Sequence, residues 1–344
     1  MRPSDLFGGS PFGRRVRRPG AGRVPVTVVT GFLGAGKTGL IRAALASPDA
    51  ARTAVIVNEF AELGVDDVLL RTSAEDVRLI GNGCMCCAAR SDLQRVLRNL
   101  YAERETGAVP PFDRVIVETS GLSDPGPVLQ LLAGDRALSG HYAVSALVTV
   151  VDCVLALDGQ APPEWIEQVV LADRIVLSKT ELASEAQVAR VRAHVAALNP
   201  GAEILEASNL RADPLAWLAP VAAGGARGFR AAPAAVGPDA VSCQSFVLSF
   251  DTPFRWEVFL QVMETLLALR GDDVLRVKGL VHVEGCAGPV AAHFVRHLAA
   301  RPEELTAWPD ADRRSRLVFI TRNVSAAQVQ ALFDAVLALA PPPG

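Results

Sequence analysis

The sequence predicts an α/β protein with a doubly wound, mainly parallel sheet, followed by a smaller α+β domain. Apolar runs rich in β-branched residues recur between residues 24 and 218, as in strands that are buried on both faces of a sheet. Segments with apolar residues at three- and four-residue steps separate most of these runs, and this spacing is typical of amphipathic helices. Strands that alternate with helices favour a parallel sheet.

Each element of the first domain is a short segment of this kind. The predicted strands, in chain order, are VPVTVVT, TAVIVNE, DRVIVETS, YAVSALVTVVD, RIVLSK and AEILEAS, and VRLI is a further strand-like segment. The clearest helices are SDLQRVLRNLYAERE and ASEAQVARVRAHVAAL. The longest apolar run, YAVSALVTVVDCVLAL, is interrupted by Asp152 and therefore predicts a buried strand rather than a membrane span.

Composition divides the chain of 344 residues into four parts. Residues 1–23 are rich in Gly, Pro and Arg and predict a disordered basic tail. Residues 24–218 form the first domain, and residues 219–240, rich in Ala, Gly and Pro, form a linker. Residues 241–344 form the α+β domain, with strands predicted over VSCQSFVLSFD, VLRVKGLVHVEG, PVAAHFVRHL and SRLVFITR and helices over RWEVFLQVMETLLALR and SAAQVQALFDAVLAL.

The net charge and the cysteine pattern indicate which kinds of partner the protein binds and in which cellular compartment it is located. The net charge of −3 and the pI near 6.0 indicate no general attraction to nucleic acid or to an anionic membrane. Residues 1–23 lack the apolar segment of a secretory signal. The six cysteines have no regular spacing, which argues against the disulfide framework of a secreted protein. We therefore expect a cytoplasmic protein that binds neither nucleic acid nor membrane.

A phosphate-binding motif follows the first predicted strand. GFLGAGKT fits G-x-x-x-x-G-K-[ST] and lies between a strand and a helix, as this motif requires. Its three glycines allow the backbone N–H groups to turn inward, and the helix N-terminus adds partial positive charge. Lys37 supplies a charge for the terminal phosphates, and Thr38 supplies a hydroxyl for Mg²⁺. The predicted contacts to a nucleoside triphosphate are Gly31, Gly34, Ala35, Gly36, Lys37 and Thr38.

The predicted strand DRVIVETS ends in a second part of this site. A carboxylate at the end of a strand beside the phosphate-loop strand can hold Mg²⁺ through water, and Glu118 has this position. Gly121 can approach the γ-phosphate through its N–H. Lys37 and Glu118 are therefore the candidate catalytic residues.

The base-binding residues are predicted from LSKTEL. GTPases commonly end a later strand with N-K-x-D, whose Asp accepts hydrogen bonds from guanine. Here Ser178 replaces Asn, Lys179 is kept, and Glu181 replaces Asp on a longer arm. The motif thus favours guanine, although two of its positions are changed. Ser208, in the segment EAS, is a candidate for a backbone contact to the guanine carbonyl.

Three thiols lie within four positions, at Cys84, Cys86 and Cys87. Structural zinc usually has four ligands supplied as two separated pairs, so this cluster is one ligand short of a closed tetrahedral site. From the residues alone three roles stay open. The thiols can be structural, they can form a redox pair, or they can capture a metal with one exchangeable position.

Taken together, the motifs resemble those of the CobW-like family of P-loop GTPases, which are similar to the urease and hydrogenase nickel-insertion GTPases. The segments that carry the resemblance are TGFLGAGKT, NEFAELGVD, NGCMCC, VETSGLSDPGP, SKTE and WPDADRRSRLVFITR. The resemblance covers nearly everything after residue 24. The resemblance implies a P-loop NTPase domain followed by a smaller CobW C-terminal-like domain.

The resemblance also implies a function. Family members are regarded as GTP-dependent metal chaperones or insertases that bind metal through C-x-C-C. It thus implies GTP and Mg²⁺ as ligands, a client metalloprotein as partner, and Cys84, Cys86 and Cys87 as ligands of a transition metal. Glu62 of NEFAE is a candidate carboxylate ligand. Thiolates suit zinc, while cobalt and iron are alternatives, and the oligomeric state stays open, with a homodimer as one option.

The sequence departs from the family pattern in three respects, and two other functions stay open. Ala61 replaces the glycine of the usual NEFGE, and Gly39 replaces the second threonine of the usual KTT. The histidine-rich stretch of some family members is missing, since the five histidines are scattered. The first alternative is a nucleotide-gated scaffold or binding protein whose thiols are structural. The second is a P-loop small-molecule kinase, for which the sequence offers no adenine signature and no acceptor-activating site.

Overall fold

The computed structural model describes residues 23–58, 67–71, 77–81, 89–155, 161–211, 213–219, 243–299 and 302–340. These residues form two compact units. The first unit contains residues 23–194 and 202–219, and the second contains residues 195–201 and 243–340.

An eight-stranded sheet forms the first unit. Its strands are β1 Val24–Thr30, β2 Thr53–Asn58, β3 Asp67–Arg71, β4 Val77–Gly81, β5 Arg114–Thr119, β6 Tyr142–Asp152, β7 Arg174–Ser178 and β8 Glu203–Glu206. Their order across the sheet is β4-β3-β2-β5-β1-β6-β7-β8. The six strands from β2 to β8 in this order pair in parallel. The predicted fold, a mainly parallel α/β sheet, is confirmed.

The helices of this unit connect the parallel strands. They are α1 Lys37–Leu45, α2 Ala89–Thr106, α3 Gly126–Gly134, α4 Leu138–His141, α5 Pro163–Leu171 and α6 Glu185–Leu198. Each pair of parallel neighbours requires such a crossover, because parallel strands cannot be joined by a tight turn.

An antiparallel extension at one edge of the sheet departs from the sequence prediction. β3 pairs antiparallel with β2 and with β4, so β4 has the same direction as β2. The segment VRLI belongs to β4, as expected. The strand β3, DVLLR, was not predicted, because only three of its five residues are apolar and charges lie at both ends.

The central strands explain the continuous apolar runs of the sequence. β1 lies between β5 and β6, and Val26, Val28 and Val29 of β1 are completely buried. Because both faces of β1 are covered, six of its seven residues are buried, and its apolar residues do not alternate with exposed polar ones. The sheet order reverses around β1, since β2 and β5 lie on one side and β6, β7 and β8 on the other. In such sheets ligands bind beyond the carboxyl ends of the strands at this reversal.

The second unit is an antiparallel sheet covered by two helices. Its elements are β9 Cys243–Phe250, α7 Trp256–Arg270, β10 Val274–Val281, β11 Val290–Val295, β12 Leu298–Ala299, β13 Glu303–Glu304, β14 Ser315–Arg322 and α8 Ala326–Leu339. The strand order is β12-β11-β10-β14-β9, with β13 beside β11. Phe259, Phe319 and Phe333 are completely buried in the core of this unit. The predicted α+β architecture is confirmed.

Local signals fix the last helix. Ser325 precedes α8, and its side chain accepts a hydrogen bond from the N–H of Gln328, while the Gln328 side chain accepts one from the N–H of Ser325. This reciprocal capping box satisfies two amide groups that a helix leaves unpaired at its start. Within the described residues, none of the helices combines the length and apolar character needed to cross a membrane.

One histidine of the first unit makes its stability depend on pH. His194 in α6 stacks on Trp165 in α5, with ring centroids 5.6 Å apart. Burial lowers the pKa of His194 below its ordinary value of 6.5. The unfolded chain therefore binds this proton more readily than the folded chain.

We expect the free energy of unfolding to fall as the pH falls through the ordinary histidine pKa, and to level off below the lowered pKa of the folded state. His194→Gln removes the titrating group and should flatten this part of the pH profile. Urea midpoints of wild type and variant between about pH 5 and pH 8 test the prediction. Parallel pH profiles for the two proteins would contradict it.

Candidate functional site

The phosphate loop begins where β1 ends. Gly31, Gly34 and Gly36 have φ angles of 142°, 72° and 94°, in the region that favours glycine. A Cβ on Gly31 would lie 2.3 Å from the carbonyl oxygen of Val150 in β6, so this position admits no side chain. Gly36 ends the loop as the residue before α1. The three glycines thus allow the tight turn of the loop backbone, as the sequence motif predicts.

Lys37 lies inside the loop. Its Nζ donates a hydrogen bond to the carbonyl oxygen of Gly31 at 2.9 Å and lies 3.4 Å from that of Phe32. The residue is only 8% exposed. An ammonium group that is largely removed from water interacts more strongly with an anion than an exposed one does. The contacts therefore hold the cation where phosphates would enter the loop.

Thr38 and Glu118 form the second pair of the site. The Thr38 hydroxyl donates to Oε1 of Glu118 at 2.8 Å, and Glu118 is 1% exposed. Glu118 is the next-to-last residue of β5, opposite Val29 of β1. Next to it, Thr119 donates to the Thr30 hydroxyl at 2.8 Å and so ties the ends of the two strands together.

This pair fits a hard cation. Mg²⁺ prefers oxygen ligands and is usually held by one or two protein groups together with substrate phosphates. Thr38 and Glu118 supply a hydroxyl and a carboxylate within one hydrogen bond of each other, at the first turn of α1. The side chains present therefore match the magnesium site that the sequence predicts.

Gly121 lies directly against the phosphate loop. A Cβ at this position would be 2.7 Å from the backbone nitrogen of Leu33 and 2.8 Å from its Cα. The close approach of two backbone segments thus requires glycine here. The amide N of Ser123 donates to the carbonyl of Ser120 at 3.1 Å, which makes residues 120–123 a turn.

The first two residues predicted for the base, Ser178 and Lys179, lie at the end of β7 and directly after it. The Ser178 hydroxyl is 2.6 Å from the carbonyl oxygen of Ala35 and 3.2 Å from that of Val151. Ser178 is therefore joined to the phosphate loop. Lys179 follows with a φ of 55°, and its Nζ is 2.6 Å from Oδ2 of Asp152, whose side chain is 7% exposed. The ion pair orients the lysine beside the loop.

Glu181 and Ser208 belong to two neighbouring turns. Glu181 is exposed in the turn Thr180–Leu182, and Ser208 lies in the turn Ala207–Arg211. The hydroxyls of Thr180 and Ser208 are 3.3 Å apart. The structure thus brings the segments SKTE and EAS together, as the sequence interpretation requires.

The remaining predicted ligands lie outside the described residues. These are Cys84, Cys86, Cys87 and Glu62. Among the described residues there is no group of three or more His, Cys, Asp or Glu side chains that could hold a metal ion. Burial, followed by the neighbouring charge of Asp152, raises the pKa of Cys153 to about 11. At neutral pH this thiol is protonated and is a poor metal ligand.

Sequence reasoning missed two residues of the site. In the sequence, Asp152 is only a charge that interrupts an apolar run, but in the structure it pairs with Lys179 and accepts hydrogen bonds from the N–H groups of Val154 and Leu155. The second residue is Gln168. It is completely buried in α5, and its Nε2 donates to the carbonyls of Gly121 at 3.0 Å and Ser123 at 3.1 Å. A lone amide among apolar helix residues was the available signal.

The parallel sheet, the glycine loop with Lys37, and the Thr38–Glu118 pair define the class of the protein. It is a P-loop nucleotide-binding protein.

The chain belongs to the CobW/HypB/UreG family. The nucleotide-binding domain of this family matches residues 25–206, and the C-terminal domain of the cobalamin synthesis protein CobW matches residues 243–337. The sequence resemblance to CobW-like P-loop GTPases is thereby confirmed, and with it the predicted enzyme class, a GTPase.

Two relatives and one solved structure are similar to large parts of the chain. The zinc chaperone YjiA of Escherichia coli is 31% identical over 321 residues, which are 90% of this chain and 98% of that protein. The zinc chaperone CobW of Pseudomonas aeruginosa is 35% identical over 54% of this chain and 57% of its own length. The crystal structure of the Zn(II)-bound YjiA GTPase from E. coli matches with a TM-score of 0.68 at 28% identity, over 91% of this chain and 99% of that one.

Gly31→Ala should weaken GTP binding about tenfold or more, because the new methyl group would meet the Val150 carbonyl and the left-handed backbone disfavours a side chain. Titration with a fluorescent GTP analogue measures the effect.

Gly39→Ala is the matched control for this change. A Cβ on Gly39 meets no atom within 4 Å, and alanine favours the helix α1. The control should bind GTP like wild type. Equal affinities of Gly31→Ala and wild type would contradict the role assigned to this glycine.

Proposed function

We propose that the protein is a GTP-dependent metal chaperone that binds zinc through Cys84, Cys86 and Cys87 and transfers it to a client metalloprotein. The observation that carries the proposal is the Thr38–Glu118 pair at the head of the phosphate loop, in a chain similar over nearly its whole length to a zinc chaperone. The pair provides the site for a triphosphate with Mg²⁺. The cysteine motif provides the ligands for the transferred metal.

The course of the chain supports a short distance between the two sites. β2 ends at Asn58, which pairs with Thr119, the last residue of β5. β4 has the same direction as β2 and ends at Gly81, opposite Asp67. Both strands therefore end at the edge of the sheet where Glu118 lies. Cys84 is the third residue after Gly81, so the chain reaches it within at most about 11 Å.

The same reasoning applies to Glu62. It follows Asn58 by four residues, so it lies at most about 14 Å from the end of β2. Residues that directly follow β2 and β4 are thus within reach of the γ-phosphate region. If bound GTP changes the distance between Glu62 and the thiols, it changes the metal affinity.

In hydrolysis the described residues have separate tasks. Lys37 neutralises the charge of the terminal phosphates from inside the loop, and Thr38 with Glu118 holds Mg²⁺. When bound there, Mg²⁺ would neutralise negative charge that develops on the phosphate groups during hydrolysis. Gly121 offers its N–H to the γ-phosphate from the segment packed on Leu33. After hydrolysis this contact has no partner, which gives the segment two states.

The base site is proposed for guanine. Lys179 is held beside the phosphate loop by Asp152, and Glu181 is the exposed carboxylate that accepts hydrogen bonds from the guanine N1–H and amino group. Ser208 supplies a backbone contact from the adjacent turn. Glu181 occupies the position of the aspartate in N-K-x-D, one methylene group farther from its backbone.

Glu181→Ala should lower the affinity ratio of GTP to ATP about tenfold or more, because a hydrogen bond to a charged acceptor is lost. Competition binding with both nucleotides measures the ratio. Glu185→Ala, which removes another exposed carboxylate four residues later, is the control and should keep the ratio. An affinity ratio that Glu181→Ala leaves unchanged would show that Glu181 does not bind the base.

Nucleotide state and metal affinity should be coupled by about 1–3 kcal/mol, or roughly five- to 150-fold. Zinc or cobalt titrations of wild type with a GTP analogue, with GDP and without nucleotide measure the coupling. Metal affinity should also rise with pH, since the thiols must lose protons to bind.

Two variants separate the sites in this experiment. Cys86→Ala should weaken metal binding and abolish the coupling but keep GTP binding. Lys37→Ala should lose GTP binding while its metal affinity stays at the value without nucleotide. Wild-type metal affinities that are the same in all three nucleotide states would refute a nucleotide-gated chaperone.

A further inference from the structure

Gln168 is a buried amide in an apolar helix. It is completely inaccessible to solvent, and its neighbours Ile166, Val169 and Val170 in α5 are buried as well. A buried amide costs free energy unless it is hydrogen-bonded. An apolar side chain would fill the same volume without that cost. The hydrogen bonds of the amide therefore indicate what Gln168 contributes.

Both contacts of its Nε2 go to one short segment. The amide donates to the carbonyl of Gly121 at 3.0 Å and to that of Ser123 at 3.1 Å. The Oε1 atom of Gln168 has no hydrogen-bond partner among the described residues. The backbone carbonyl of Gln168 accepts a separate hydrogen bond from the hydroxyl of Thr149 of β6 at 2.5 Å. The side-chain amide thus connects α5 to the turn after β5.

These bonds fix the orientation of the amide groups on the other side of the turn. A peptide unit is planar and trans, so its C=O and N–H point in opposite directions. The carbonyls of Gly121 and Ser123 point to Gln168, and the N–H groups of Leu122 and Asp124 therefore point away from it. The N–H of Gly121 shares its plane with the Ser120 carbonyl, which is held by Ser123 within the turn.

The turn also packs directly against the backbone of the phosphate loop. The Cα of Gly121 is so near the backbone of Leu33 that a Cβ would come within 2.7 Å of its nitrogen. Leu122 is 56% exposed, so the side of the turn opposite Gln168 is open. A displacement of the turn would change its distance from the phosphates and leave carbonyls buried beside α5 without a donor.

We infer that Gln168 is a positioning residue for recognition of the γ-phosphate. By holding two carbonyls, it aims the N–H groups of the turn toward the phosphate loop and so sets the affinity for GTP relative to GDP. The inference rests on the proposed role of Gly121 in the guanine nucleotide site. Gln168 of α5, which is remote in sequence from the phosphate loop, would thus control the discrimination between GTP and GDP.

Gln168→Met tests the inference, because methionine has a similar length but donates no hydrogen bond. We expect the affinity for a non-hydrolysable GTP analogue to fall about tenfold, since the turn loses two hydrogen bonds. The affinity for GDP should change less than about twofold, because GDP does not contact the turn. For GTP hydrolysis, kcat should fall together with kcat/KM.

Thr149→Val is the matched control. It removes the hydrogen bond to the Gln168 carbonyl from the same buried region and leaves the amide contacts in place. The ratio of GTP-analogue to GDP affinity should stay at the wild-type value, even if the variant is less stable. Equal losses of both affinities in Gln168→Met, or no loss of either, would overturn the inference.

Amide hydrogen exchange of wild type gives a second test that needs no variant. The N–H groups of Gly121 and Leu122 should exchange more slowly with the GTP analogue than with GDP, whereas that of Ser123, which is bonded within the turn, should not differ. Equal protection of Gly121 and Leu122 by both nucleotides would overturn the inference. If wild type failed to bind the GTP analogue, the proposed function itself would fall, and this outcome is distinct from an unchanged affinity ratio.

Discussion

The hydrogen bond of 2.8 Å between Thr38 and Glu118 joins the two elements on which the site depends. Thr38 belongs to the first turn of α1, and Glu118 to the end of β5. The bond is possible because β5 pairs directly with β1, so that the carboxylate is beside the start of the phosphate loop. The sheet order therefore decides the chemistry of the site. A strand inserted between β1 and β5 would move the hydroxyl and the carboxylate about 5 Å farther apart and break the bond.

Much of the fold and part of the site follow from local signals. β1, β6 and β14 coincide with the predicted segments, because each is a continuous apolar run in a strand with neighbours on both sides. Gly31 and Gly36 were predicted from the motif, and their φ angles of 142° and 94° agree with the reason given for them. In these cases the same local requirement, burial of a strand or a positive φ angle, determines both the sequence pattern and the backbone conformation.

The unpredicted features depend on contacts between distant residues. β3 becomes a strand through pairing with β2 and β4, which compensates for its few apolar residues. Gln168 and Gly121 are 47 residues apart, so no local period relates them. Asp152 has its partner Lys179 directly after β7, the next strand of the sheet. Partner identity at such separations is set by the sheet order, which single-sequence patterns do not specify.

The backbone of Lys179 has an energetic consequence for the base site. Its φ of 55° is left-handed, which costs a non-glycine residue about 1 kcal/mol or more. Glycine would relieve this cost but would remove the ammonium that pairs with Asp152 at 2.6 Å. Asp152 would then keep a nearly inaccessible negative charge close to the place where a polyanionic ligand enters. The residue best suited to the backbone is thus the worst suited to the ligand, and local stability is given up to keep a positive charge there.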